Sequence, residues 1–131
     1  MRLLLDTHIW IWSYLEPQRL TPEVSKAIKR ARNERFLSAV SVWEMLMLLE
    51  RNRIQLKQDF AEWFRRSQDE LMLREVPVDW SVAHAMRLTT LSHGDPADRL
   101  LVATAKVYGM TLVTADKRLM NISGLKVLAN R

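Results

Sequence analysis

Apolar residues in this chain follow two alternating rhythms. Leu3-Leu4-Leu5 is too short a run for a helix, and it stops abruptly at Asp6. A brief apolar run bounded by a charge reads as a buried strand. Residues 36–40, 73–78 (interrupted by Pro77) and 110–115 read the same way, with 126–128 as a last edge strand. Between these runs, apolar residues return every three to four positions, the spacing of a helix with one buried face. Helices are predicted from Thr7 to about Leu15, from Pro22 to about Glu34, and from Ser41 to Leu49. Three more are predicted over about 59–70, from Ser81 to Leu91, and from Leu100 to Tyr108.

Their ends carry recognisable signals. Thr21-Pro22-Glu23 combines a hydroxyl cap, a proline at the first helical position and an acid in the first turn. Val24, Ala27, Ile28 and Ala31 form the apolar stripe of that helix, and Lys26, Lys29, Arg30, Arg32 and Arg35 dominate its remainder. Ser41 followed by Glu44 matches a capping box. Residues 42–49 are apolar nearly all round, which places that helix in the core or an interface. Asp95 precedes Pro96 as the expected N-cap of the late helix, and Gly109 closes it.

Strands alternating with helices predict an α/β fold with a mostly parallel sheet covered on both faces. Right-handed crossovers place all strand C-terminal ends on one edge. Asp6 and Asp116 each end a strand; Glu44 and Asp98 each sit at about the third position of a helix. The four carboxylates are therefore expected to meet at that edge. Each also has a local alternative. Asp6 can cap a helix, Glu44 can complete the capping box, Asp98 suits a helix dipole, and Asp116 can close a turn. Glu44 is nevertheless the only charge between Phe36 and Leu49.

Composition then narrows the chemistry. At 131 residues and 48% hydrophobic content, a single domain over 1–131 can bury a substantial core. The absence of cysteine excludes disulfides, thiolate zinc sites and a cysteine nucleophile, and fits a reducing cytosol. Three glycines provide no phosphate-cradling loop. No apolar run approaches the ~20 residues that span a bilayer, and no export signal is expected, so the chain is expected to be cytoplasmic. A net charge of +5 permits a polyanionic partner without requiring one. Carboxylates gathered together repel unless a cation compensates them. An all-oxygen set suits Mg²⁺ or Mn²⁺ rather than zinc. Such an ion polarises phosphoryl oxygens and orients water, which points to phosphodiester hydrolysis with Arg and Lys holding the backbone.

Other residues carry less. His8 either touches the site or packs beside Trp12, His93 is expected to structure its turn, and His84 to be partly buried. Trp10, Trp12, Trp43, Met45 and Met47 exceed what a domain of this size obviously needs inside and suggest a partner surface; the alternative is that they fill the core or a dimer interface.

Four blocks in order carry a resemblance. They are Leu-Leu-Leu-Asp6-Thr7-His8, Ser38-Ala39-Val40-Ser41-Val42-Trp43-Glu44, His93-Gly94-Asp95-Pro96-Ala97-Asp98-Arg99-Leu100-Leu101 and Leu112-Val113-Thr114-Ala115-Asp116. Together they resemble a PIN domain, most closely the VapC-like ribonuclease toxins of toxin–antitoxin pairs. The resemblance implies a three-layer α/β/α sandwich and a Mg²⁺- or Mn²⁺-dependent endoribonuclease, usually homodimeric and restrained by a cognate antitoxin. By position it makes Asp6 and Asp98 the principal metal ligands. Glu44 and Asp116 complete the acidic pocket, directly or through water, and Thr114 hydrogen-bonds behind it. Asp95, three residues before Asp98, is the competing ligand. Two rivals remain: a catalytically silent PIN-like interaction module, against which all four acids count, and a metal-dependent phosphatase, whose Asp-x-Asp-x-Thr pattern fails because position 8 is histidine.

Overall fold

The computed structural model describes residues 1–91 and 94–131. Five strands form one wholly parallel sheet: β1 (Arg2–Leu5), β2 (Glu34–Ser38), β3 (Leu73–Val76), β4 (Thr111–Thr114) and β5 (Lys126–Ala129). Among the described residues six helices accompany it: α1 (Thr7–Leu15), α2 (Pro22–Lys29), α3 (Ala39–Glu50), α4 (Phe60–Leu71), α5 (Trp80–Ala85) and α6 (Pro96–Tyr108).

The strand pleat divides the core in two. Leu3 and Leu5 point to one face, where Trp10 of α1, Val24 and Ile28 of α2, Met45 of α3 and Trp63 of α4 pack. Leu4 points to the other, against Leu101, Val102 and Ala105 of α6. A strand buried on both faces must be a continuous apolar run, which is why β1 reads Leu-Leu-Leu. Helix α3 contributes Met45 to one face and Val40 to the other, so it lies across the end of the sheet.

The strand order is β3-β2-β1-β4-β5. The chain thus steps outward in one direction from β1 to β3, then returns to the other side of β1 for β4 and β5. Between β1 and β4 the order reverses. The crevice outside the C-terminal ends of such a strand pair is where open α/β sheets bind ligands. Leu5 pairs with Val113 there, and the Asp6 amide donates to the Val113 carbonyl at 3.0 Å.

Several helix boundaries differ from the sequence expectation. Helix α2 stops at Lys29 rather than near Glu34, because the chain must turn to enter β2. Arg35, expected on a solvated helix face, is instead buried in β2 at 5% exposure. Its Nε donates to the Leu71 carbonyl at 2.7 Å, and Nη1 donates to the Ile28 and Arg30 carbonyls at 3.0 and 3.1 Å. A cation on the exposed C-terminal carbonyls of α2 and α4 satisfies both helix dipoles. Arg35→Met should therefore cost about 2–4 kcal/mol in urea unfolding, since it strands three carbonyls and keeps only the side-chain volume.

Ser38, not Ser41, caps α3, accepting from the Val40 amide at 3.1 Å. The last register pair, Ser38 with Val76, fixes where β2 ends and hence which serine can cap. Asp79, not Ser81, caps α5 by accepting from the Val82 amide at 3.0 Å. That helix ends at Ala85 in a 3₁₀ turn, Met86–Leu88, rather than running to Leu91. Arg99 of α6 takes the Met86 and Thr89 carbonyls at 2.7 and 3.0 Å, which fastens the turn. The α6 caps are as expected: Asp95 accepts from the Ala97 amide, and Gly109 adopts a left-handed φ of 64°.

Candidate active site

Asp6 is the residue at which β1 ends and α1 starts. Its Oδ1 accepts from the Thr7 amide at 2.8 Å, so it does cap the helix. Its Oδ2 accepts from Thr114 Oγ1, at the end of β4, at 2.6 Å. Thr114 Oγ1 in turn accepts from the Asp116 amide at 3.0 Å. One buried hydroxyl thus joins the two acid-bearing strand ends across the switch point, as the resemblance implied for Thr114. Capping and site placement coincide at Asp6 rather than excluding each other.

Glu44 arrives from α3. It is the sixth residue of that helix, not the third, because the helix starts at Ala39. The capping-box reading fails with it. Its Oε1 accepts from Thr7 Oγ1, and Thr7 Oγ1 lies 2.9 Å from Ser41 Oγ. Thr7 and Ser41 are both buried and so hold the carboxylate from below. The sequence signal for this tether is present in Thr7 and Ser41, but pattern alone makes Ser41 a cap.

Asp98 is the third residue of α6 and is 6% exposed. Asp95 is spent on the α6 cap, accepting from the amides of Ala97 and Asp98. Asp116 caps a short 3₁₀ turn, Lys117–Leu119, and pairs with Arg118 at 2.8 Å. The Arg118 guanidinium also approaches Asp98 Oδ2 at 3.8 Å. This cation was not anticipated, although it stands only two residues beyond Asp116.

The acids act on one another's charge. Burial pushes the Asp6 carboxyl above the ordinary range, against the opposing hydrogen bonds of Thr114 and Thr7 and the nearby His8; the Asp116 charge adds to the rise. Burial also pushes Glu44 up to about 7, opposed by the Thr7 hydrogen bond and reinforced by the charges of Asp6, Asp95 and Asp98. Among the described residues no three acidic or histidine side chains stand close enough to form a ready coordination shell. The donors nevertheless fit a hard divalent cation. They are all oxygens, two are held above their ordinary pKa chiefly by burial and further by neighbouring acids, a rise that a bound cation would oppose, and each Asp6 oxygen keeps a lone pair beyond the one hydrogen bond it accepts.

Other expectations resolve simply. His8 is exposed and its ring lies 5.7 Å from that of Trp12, so it packs beside Trp12. His84 is exposed beside Arg87 rather than partly buried. His93 lies outside the described residues. Trp10 and Met45 are fully buried and fill the core, the second of their two readings, whereas Trp43 is 54% exposed.

Residues 3–125 match the PIN domain family. The chain belongs to that family. It is also 42% identical over 118 residues to Ribonuclease VapC22 of Mycobacterium tuberculosis, covering 89% of this chain and 88% of that one. Among solved structures, the PIN fold here superimposes with a TM-score of 0.70 on a chain of VapBC2 from Rickettsia felis bound to a promoter DNA fragment. That match covers 98% of each chain at 17% identity. VapBC-1 from nontypeable Haemophilus influenzae matches with a TM-score of 0.68 at 15% identity, again over 98% of both chains. The three-layer sandwich expected from the sequence is thus the fold observed, and this PIN domain is a homologue of a VapC ribonuclease.

Proposed function

We propose that the chain is a metal-dependent endoribonuclease and the toxin of a toxin–antitoxin pair. The observation that carries this reading is the junction of Asp6 and Glu44 with Asp98 and Asp116 at the β1/β4 switch point, in a chain so similar to a ribonuclease. Asp6, Asp98 and Asp116 would hold Mg²⁺ or Mn²⁺; when bound, the ion polarises the phosphoryl group and neutralises developing charge. Glu44, with its pKa raised to about 7, is matched to accepting a proton from an attacking water near neutral pH. Thr7 fixes the orientation of its Oε1. Thr114 would steady Asp6 through the hydrogen bond it donates to Oδ2.

Hydrolysis of this kind uses no 2′-hydroxyl nucleophile, so the products should carry a 5′-phosphate and a 3′-hydroxyl. An RNA cleavage assay with Mn²⁺, with and without EDTA, tests the activity, and end-group analysis tests the route. A 2′,3′-cyclic phosphate product would overturn that route.

The antitoxin reading is supported by a cavity of about 400 Å³ between α3 and α4, lined by Val42, Leu46, Phe64 and Leu73. An apolar groove of this kind accepts one face of an amphipathic segment. A cytoplasmic location belongs to the same reading; among the described residues no helix is long and apolar enough to cross a membrane. As a homodimer, the purified chain should elute in size exclusion at about twice 15.4 kDa. Elution as a strict monomer would overturn the dimer.

A further inference from the structure

Beside the carboxylates a second cavity, of about 360 Å³, opens along α3 toward the start of α6. Glu44 and Asp95 line it together with Trp43, Arg51 and Arg53. Its volume suits one small ligand, on the scale of a nucleotide. Trp43 stands on the ridge between this cavity and the α3–α4 groove, with more than half its surface in solvent. Arg51 and Arg53 are exposed, and neither makes an ion pair among the described residues. Several other exposed arginines are engaged: Arg19 with Glu16, Arg65 and Arg66 with Glu62, Arg74 with Glu34, and Arg118 with Asp116. Two uncommitted cations and an exposed indole therefore flank a cluster of acids.

The cavity continues past His8 and Arg53 into another of about 600 Å³, which reaches Trp12. There Arg19 stacks over the Trp12 ring, 4.1 Å from its centroid. A trough lined by Trp43, Trp12, Arg19, Arg51 and Arg53, with Glu44, Asp95 and Glu16 among them, does not suit an acidic or basic peptide along its whole length. It does suit a single strand, whose phosphates seek arginine and whose unpaired bases seek flat rings.

We propose that this trough seats the single-stranded RNA flanking the scissile phosphodiester, with Trp43 as the stacking platform for one unpaired base and Arg51 and Arg53 as phosphate contacts. The proposal rests on the ribonuclease reading of the adjacent acids. It makes Trp43 a determinant of substrate binding, separate from the chemistry at Glu44 next to it.

The test uses the full chain and an unstructured, fluorescein-labelled RNA of about ten nucleotides. Binding is read by anisotropy in EDTA, and cleavage is read with Mn²⁺. Trp43→Ala should weaken binding roughly 5- to 150-fold, the range of one lost stacking contact. Trp43→Phe should retain most of the affinity, and it keeps the test valid if the alanine variant unfolds. Arg51→Ala combined with Arg53→Ala should flatten the log affinity–log salt slope by about 1.4, at ~0.7 per lost phosphate contact. In cleavage, Trp43→Ala and the Arg51/Arg53 double variant should raise KM more than they lower kcat. A wild type that cleaves, with affinity and KM unchanged in Trp43→Ala, overturns the base seat. So does a Trp43→Ala variant that keeps its RNA affinity and instead changes its elution volume, which would assign Trp43 to a protein interface. A wild type that neither binds nor cleaves RNA overturns the ribonuclease reading, and the seat with it.

Discussion

Asp6→Asn and Asp98→Asn should each abolish RNA cleavage while leaving cooperative thermal unfolding intact. Each removes one carboxylate from a set that holds a divalent cation. Losing several kcal/mol of transition-state stabilisation corresponds to roughly a thousandfold or more in rate. The fold should survive because the substitution is isosteric and the hydrogen bonds at Asp6 can be kept. An amide oxygen can still accept from the Thr7 backbone, and the Thr114 hydroxyl can rotate to accept from an amide nitrogen. Metal-free Asp6→Asn should even be at least as stable as the wild type, because burial disfavours the charge it removes. Asp95→Asn separates the two aspartates that lie three residues apart: asparagine remains a good N-cap, so that variant should fold and keep cleaving. Normal cleavage by both Asp6→Asn and Asp98→Asn would mean that the site lies elsewhere. Loss in Asp95→Asn with retention in Asp98→Asn would transfer the ligand role to Asp95.

The parts of this fold that were legible in the sequence are those governed by short-range rules. Leu3-Leu4-Leu5 announces a strand buried on two faces, and Asp95-Pro96 with Gly109 brackets α6 at both ends. Parallel topology then carries Asp6, Asp98 and Asp116 to one edge without any contact being known in advance. What was illegible depended on tertiary context. Ser38 and Ser41 are equally good caps on paper, and only the register of β2 against β3 selects Ser38. That choice moves Glu44 from the first turn of α3 into the second and turns its partner from a backbone amide into Thr7. Arg35 looked like one more cation on an amphipathic helix, because pattern alone cannot show that two helix C-termini will converge on it. Trp10 and Met45 looked surplus because a sequence does not show how much volume lies beneath a five-stranded sheet. Arg118 was missed for a similar reason. A cation two residues past an acid is ordinary surface chemistry until the same turn also faces Asp98.

Chelation should abolish cleavage and also expose the electrostatic cost of the empty acid cluster. In its folded environment Glu44 has a pKa of about 7 against an ordinary 4.5. Between those values the folded protein binds more protons than the unfolded chain, so stability falls as pH rises. The cost is absent below about pH 4.5, grows through the interval, and is complete above about pH 7. Asp6 shifts in the same direction and adds to it. In EDTA, the Tm of Glu44→Gln should therefore match the wild type near pH 4.5 and exceed it above pH 7. The gap should be only about 2–4 °C, since Glu44 is partly exposed and solvent screens its repulsion. Adding Mn²⁺ should close that gap by raising the wild-type Tm more than that of Glu44→Gln, because cation binding displaces the proton that the apo site retains. The effect should be largest at high pH, where no proton remains to do the ion's work. If the metal-free wild type instead gains stability over Glu44→Gln between pH 4.5 and 7, Glu44 is already compensated by a protein cation, and the physical case for a divalent ion beside it is lost.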